Sequence, residues 1–345
     1  MRFKLLTYLV VVVSVTTTAE YHLNYSLVSE IREVVYNPYD MWTIDESYAI
    51  VNDLADKQEP IKLIDIVEGY TIKSLRVGQG PGEVSPTQYK RVTKFSDNSI
   101  LLFDAGNQRL TKYGSNLEYL YDLSGSALSN RIYQAGLVND STLILIDNGE
   151  SFIRGYRFNS KYVNESDILF EISTDDYSEL NDFKNFALLQ AMFISNSNNA
   201  IYLSNEFASF IIALDENGIK WISNIPNGFN LPVADSENLG YMMPRIGSHP
   251  EGSRGIYYHN DFVFMHFHGE TISRLEQMRY TFNFDALLEK MKHTSKLMVF
   301  EAETGEFIGE FLLPEHARNI GFVGEKLLLI NSLDHAGNIR VYERK

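Results

Sequence analysis

The sequence predicts an all-β fold: a six-bladed β-propeller of four-stranded blades, its ring closed by a strand from the N-terminus. Three observations carry this. Past Ala19, apolar residues recur in short alternating runs broken by Gly, Asn, Asp and Ser, and helical periodicity is rare. The runs come in sets of four joined by tight turns, and the sets repeat along the chain. Aromatic residues make up 13% of the chain, with 21 Tyr and 21 Phe, a composition suited to pleated surfaces.

Taken in order, the chain starts with Arg2 and Lys4 before the apolar run "LLTYLVVVVSV", which is short of the roughly 20 residues a spanning helix needs. The run leads to "TTTA" and the small residue Ala19. Residues 1–19 therefore read as a secretory signal peptide, and 20–345 as a single propeller domain. Next, "NYSLVSEIREVVY" (Asn24 to Tyr36) is a strand candidate with no blade of its own. Because a closed ring leaves no exposed sheet edge, this segment is expected to supply the outer strand of the last blade.

Blade one is read in "DMWTI", "SYAIVND", "IKLIDI" and "TIKSLRVG", and blade two in "YKRVTKF", "SILLFDAG", "RLTKYG" and "LEYLYDL". Further sets begin at "YQAGLVNDSTLILIDNG", "MFISNSNNAIYLSNE", "GIYYHNDFVFMHFHG" and "ARNIGFVGEKLLLINS". The last set is one strand short, which is the strand the N-terminal segment would provide. Two segments break the rhythm. Asn230 to Arg254 carries Pro232, Pro244 and Pro250 and reads as a long loop. Glu270 to Thr294 contains "NFDALLEKMKH", where Phe284, Leu287, Leu288 and Met291 recur at helical spacing, so one helical insertion is expected in blade five.

Between blades one and two lies "SLRVGQGPGE" (Ser74 to Glu83). Gly78, Gly80 and Gly82 permit dihedrals other residues avoid, and Pro81 stiffens the turn. The glycine spacing matches no phosphate-binding loop, Pro81 has no N–H to offer an anion, and no helix pattern follows. The stretch reads as the crossing from the rim of one blade to the axis of the next, with Glu83 as a candidate ligand contact.

Ser96 to Leu120, "SDNSILLFDAGNQRLTKYGSNLEYL", resembles the NHL-type propeller repeat: a strand ending in Asp104, a Gly106-Asn107 turn, and Arg109 opening the next strand. Together with Ser74–Glu83 and the upstream "LIDI", it is similar to secreted six-bladed, TolB-like propellers common in Bacteroidetes, which carry a Gly-Gln-Gly-Pro-Gly-Glu element. The resemblance implies the fold and an exported protein, and says little about activity. Many such proteins carry a lipoprotein Cys, which this chain lacks. Asp104, Asn107 and Arg109 are expected to be turn chemistry, with Arg109 pairing Asp104 across the hairpin.

The formal net charge is −15 and no Lys/Arg-rich run stands out, which argues against nucleic acid and anionic membrane surfaces as partners. With no Cys, disulfides, thiol catalysis, thiolate metal sites and a lipid anchor are all excluded. His266 and His268 share one strand face and could ligate zinc with a third group, His259 being near in sequence; ordinary strand histidines are the favoured reading. Six-bladed propellers include calcium-dependent lactonases and esterases, and Glu83, Asn139, Asp140, Asn205 and Glu206 are oxygen donors of the right kind. They match no hydrolase motif, and no GxSxG is present. His316 and Arg318 precede the last inner strand and are candidates to face the axial pocket.

The expected function is a non-catalytic binding scaffold, periplasmic or secreted and not a lipoprotein. It would recognise a protein, peptide or glycan on its loop-rich face, most simply as a monomer. No cofactor is required by this reading. The alternatives are a divalent-metal-dependent hydrolase, with calcium in the axial pocket, and a periplasmic sensor component.

Overall fold

A computed structural model describes residues 20–345 apart from 23–24, 88, 148–150, 174–175, 178–179, 181–191, 198, 232–248, 272–277, 279–293 and 333–334. The fold is the ring of six blades. Strands β1 (Glu20–His22) and β2 (Tyr25–Ile31) belong to the last two blades. Blade one comprises β3 (Pro38–Thr43), β4 (Tyr48–Asp53), β5 (Ile61–Asp65) and β6 (Tyr70–Leu75). Blade two comprises β7 (Lys90–Lys94), β8 (Ile100–Asp104), β9 (Arg109–Tyr113) and β10 (Tyr119–Asp122). Blade three comprises β11 (Gln134–Asn139), β12 (Thr142–Ile146), β13 (Ser151–Arg157) and β14 (Ile168–Ser173). Blade four comprises β15 (Met192–Asn196), β16 (Ile201–Asn205), β17 (Phe210–Asp215) and β18 (Gly218–Asn224). Blade five comprises β19 (Ser253–His259), β20 (Phe262–Phe267), β21 (Thr294–Glu301) and β22 (Phe307–Ala317). Blade six comprises β23 (Asn319–Val323), β24 (Lys326–Ser332) and β25 (His335–Arg344), with β2 as its outer strand.

Alternation explains how the blades stack. In β8, Ile100 and Leu102 enter the core shared with blade one, while Leu101 and Phe103 enter the core shared with blade three. Every residue of β8 is buried, so the strand reads as an apolar run rather than as an in–out pattern. Each of the six clusters of buried apolar side chains lies between two neighbouring blades. The ring is therefore held by faces pressed together rather than by one central core. Outer strands are wetter: Tyr70 and Ile72 of β6 are exposed.

The closing strand is β2, antiparallel to β25 with Tyr25 opposite Arg344 and Ile31 opposite Ile339. Ile31 is buried in the core that joins blade six to blade one. A feature the repeat rhythm does not show is β1, which pairs parallel to the outer edge of β22 and makes blade five a five-stranded sheet. The expected signal peptide, residues 1–19, lies outside the described residues, as do most of the expected long loop and the helical run of the insertion. Their anchors place the insertion between β20 and β21 and the long loop between β18 and β19. Among the described residues, no helix is long and apolar enough to cross a membrane.

Candidate functional site

The blade-to-blade crossings and the turns between second and third strands emerge on one face, here the crossing face. The turns between first and second strands emerge on the opposite, hairpin face.

On the crossing face the two motifs picked out in the sequence form one clamp. The Glu83 carboxylate turns back and accepts the Gly80 N–H at 2.7 Å. A Cβ on Gly78 would stand 2.0 Å from a Glu83 carboxylate oxygen, so any larger residue there would push the Glu83 side chain aside, and Gly82 sits at φ +75°. The carbonyls of the crossing are then gripped from blade two. Arg109 donates to Gly80 O at 2.7 Å and Gln79 O at 3.0 Å, and Asn107 donates to Gly78 O at 2.9 Å. Asp104 accepts from Ser85 and from the N–H groups of Gly106 and Asn107. The expected Arg109–Asp104 pair is therefore corrected. With Asp104 surrounded by its own turn, Arg109 reaches the crossing instead, and its nearest carboxylate is Asp122 at 3.7 Å. The strand before the crossing ends at Leu75 rather than Val77, which makes an isolated bridge to Val84.

The other expected contacts do not converge. His316 is exposed on the outer strand of blade five and does not line the axial cavity, whereas the Arg318 guanidinium lies 4.7 Å from the Tyr39 ring centre, at the crossing end of the axis. His266, in β20, bonds the Thr294 carbonyl at 3.0 Å and His268, just past the end of β20, accepts the Glu270 N–H; both are buried. His259 sits at the opposite end of that sheet, stacked on Phe322 at 4.8 Å, and burial lowers its pKa. Asn139 accepts Ser141 N–H and Asp140 accepts Ser96 N–H on the hairpin face. On the crossing face Asn205 accepts Phe207 N–H, and Glu206 pairs with Arg254 at 2.6 Å. No three His, Asp or Glu side chains among the described residues are grouped to hold a metal.

What does converge is on the axis. A cavity of about 240 Å³ is lined by the inner strands of blades one, two, four, five and six. Blade three adds nothing to its lining, because Asn196 of blade four reaches past it to blade two. The Asn196 side chain accepts Lys94 N–H at 3.0 Å and donates to Lys94 O at 2.8 Å. Toward the crossing face the cavity ends on a buried polar knot. Arg91 pairs with Asp40 at 3.0 Å, Asn319 donates to the other Asp40 oxygen at 3.2 Å, and Tyr257 donates its hydroxyl to Asn319. Desolvation raises the Asp40 pKa, with Arg91 and then Arg318 opposing it. Burial, with the Asp40 charge adding to it, pushes Tyr39 up to about 12. Toward the hairpin face, Thr43, Lys94, Ser195, Asn196, Ser197 and Tyr258 are partly exposed, so the cavity opens there.

Calcium takes six to eight oxygens. The axial cavity presents one carboxylate, already bound by Arg91 and Asn319, beside the cations Arg91 and Lys94. That donor set does not fit a calcium cage. Asp40, Arg91 and Asn319 were missed by the motif reading. The available signal was positional: a polar or charged side chain at the start of the inner strand in "YDMWT", "YKRVT" and "RNIGF".

Beside the knot, Lys90 is fully buried and donates to the Thr87 carbonyl. Desolvation lowers its pKa to about 8, with Asp104 and Asp40 opposing. A lysine whose folded pKa lies below its unfolded value penalises the fold while protonated, so stability rises as pH climbs from the folded toward the unfolded pKa. Chemical denaturation should show Lys90 adding about 3 kcal/mol across that window. Lys90→Met should flatten the rise; parallel pH profiles for the two proteins would show that Lys90 is not the source.

No protein-family model matches the chain, and no curated protein matches it either. Solved structures share its shape at low sequence identity. A candidate exported protein from Bacteroides fragilis NCTC 9343 is 11% identical with a TM-score of 0.54, over 93% of this chain and 96% of that one. Streptogramin B lyase is 13% identical with a TM-score of 0.49, over 93% and 98%. The β-propeller domain of Myceliophteria thermophila Cps50 (Swd1) is 8% identical with a TM-score of 0.47, over 93% and 100%. At these identities the likeness to the Bacteroides protein shows a shared fold alone.

Proposed function

We propose that this chain is a non-catalytic binding propeller, exported to the periplasm or beyond, that seats one group of a protein, peptide or glycan ligand in its axial cavity. The observation that carries this is the cavity itself. Five inner strands wall it, aromatic side chains and fixed polar groups line it, and the described lining contains no His and no Glu. Its single carboxylate is held by Arg91 rather than poised as a base, and among the described residues no Ser–His pair lines the space. Rigid walls with polar groups fixed in advance suit selective binding. The expected ligand position shifts from the loop-rich face to the hairpin face, because that is where the cavity opens. The secretory pattern of residues 1–19 and the resemblance to exported propellers support the export reading.

The test is a thermal-shift screen of soluble glycans and peptides on the wild type and on Thr43→Trp, which fills the cavity. A ligand at 100 times its Kd should stabilise the wild type by about 2.7 kcal/mol and leave the folded variant unshifted. Ligands that stabilise both proteins equally would place recognition elsewhere and overturn the axial reading.

A further inference from the structure

Lys94 is the side chain at the cavity mouth whose chemistry is incomplete. An ammonium has three donors. One goes to the Ile44 carbonyl at 2.9 Å, and no carboxylate among the described residues lies within ion-pairing distance. Asp45, whose charge acts on it, accepts the N–H groups of Ser47 and Tyr48 on one carboxylate oxygen. Partial burial lowers the Lys94 pKa, with the Asp45 charge opposing it. The two-bond grip of Asn196 on the Lys94 backbone fixes where the stem begins. Arg91 lies deeper, its charge balanced by Asp40, so the described lining carries one positive charge in excess inside a protein of net charge −15.

The walls beside Lys94 are of a second kind. Trp42 and Tyr258 line the same cavity. Tyr258 is held flat against Tyr202, with ring centres 5.8 Å apart and planes at 11°, and its hydroxyl donates to Asp261. Thr43 and Ser195 add hydroxyls, the latter accepting the Tyr258 N–H at 3.0 Å. At about 240 Å³ the space is smaller than the pockets of drug-sized ligands, so it admits a single ring.

Resting on the binding reading above, we infer that the axial cavity takes an acidic sugar, a hexuronate residue whose carboxylate meets Lys94 while its ring lies against Trp42 and Tyr258. A carboxylate supplies the charge Lys94 lacks, ring C–H groups suit aromatic faces, and ring hydroxyls suit Thr43 and Ser195. A fatty acid would leave those hydroxyls unpaired, and a neutral sugar would leave Lys94 as it is.

The chain holds two tryptophans, Trp42 and Trp221. In a Trp221→Phe background, Trp42 emission reports the cavity alone. Galacturonate, galactose and triglycine are titrated as probes. Galacturonate should give a saturable change, with galactose and triglycine at least tenfold weaker. Lys94→Gln, with an unchanged melt, should bring galacturonate down to the galactose level, and added salt should weaken only the Lys94 form. Galactose matching galacturonate, triglycine exceeding it, or an unaltered affinity in Lys94→Gln would each overturn the inference. Silence toward all three probes would also overturn it, while the library screen with Thr43→Trp judges the broader binding reading separately.

Discussion

Arg91→Met should destabilise the protein by about 3–5 kcal/mol at neutral pH, the cost of leaving a buried carboxylate without its cation. Asp40 and Arg91 are both buried and come from the inner strands of neighbouring blades. Removing the guanidinium leaves Asp40 with the Asn319 amide and the more distant charge of Arg318. The Asp40 pKa, already raised by desolvation, should then rise further. A carboxyl whose folded pKa exceeds its unfolded value contributes stability that is present at low pH and lost as pH rises through the folded pKa. The variant should therefore lie closer to wild type at acid pH and fall away toward neutrality. The double variant Asp40→Asn, Arg91→Met, which buries no charge, should recover much of the loss. Urea denaturation of the three variants across that range makes the comparison. A loss under about 1 kcal/mol at neutral pH would mean that water reaches Asp40 and that the knot is not the dry floor of the cavity.

Deleting residues 20–36 should cost on the order of 5 kcal/mol and lower the melting temperature by roughly 10 °C. The deletion strips β2 from β25, exposing the ladder that runs from Tyr25–Arg344 to Ile31–Ile339. It also removes Ile31 and Val35 from the core that joins the last blade to the first. The chain passes directly from blade to blade at every other interface; this one is crossed only by the segment that joins β2 of blade six to β3 of blade one, and the deletion removes it together with β2. If the truncated chain fails to fold, Ile31→Ala offers a graded version, with an expected loss of about 2–4 kcal/mol. Deleting residues 20–24 alone, which removes β1 from an outer edge, should have a much smaller effect. A full deletion that melts like wild type would show that the ring does not depend on this closure.

The ring was legible because its signals are local. The runs of β8 and β9, "SILLFD" and "RLTKY", are separated by an Ala-Gly-Asn-Gln turn in which the Asp104 carboxylate accepts the N–H groups of Gly106 and Asn107. Turn chemistry and a period of two suffice to find such strands, and counting sets of four finds the blades. The missing fourth strand of the last set pointed to β2 by elimination. β1 escaped because three residues carry no period. The partner of Arg109 escaped because the residues within its reach belong to a loop some thirty positions earlier.

The axial site follows the same division. Composition and repeat pattern by themselves determined the fold class, the number of blades, the strand that closes the ring and the exclusion of thiol chemistry. These depend on residue types and on spacings within one hairpin. Only the tertiary structure decided that Asp40, Arg91 and Asn319 form one knot, that Asn196 pins Lys94 across the axis, and that the cavity opens on the hairpin face. Those residues lie on inner strands of different blades, up to 279 positions apart. They meet because ring closure brings every inner strand to one axis, a geometric condition that no local spacing encodes.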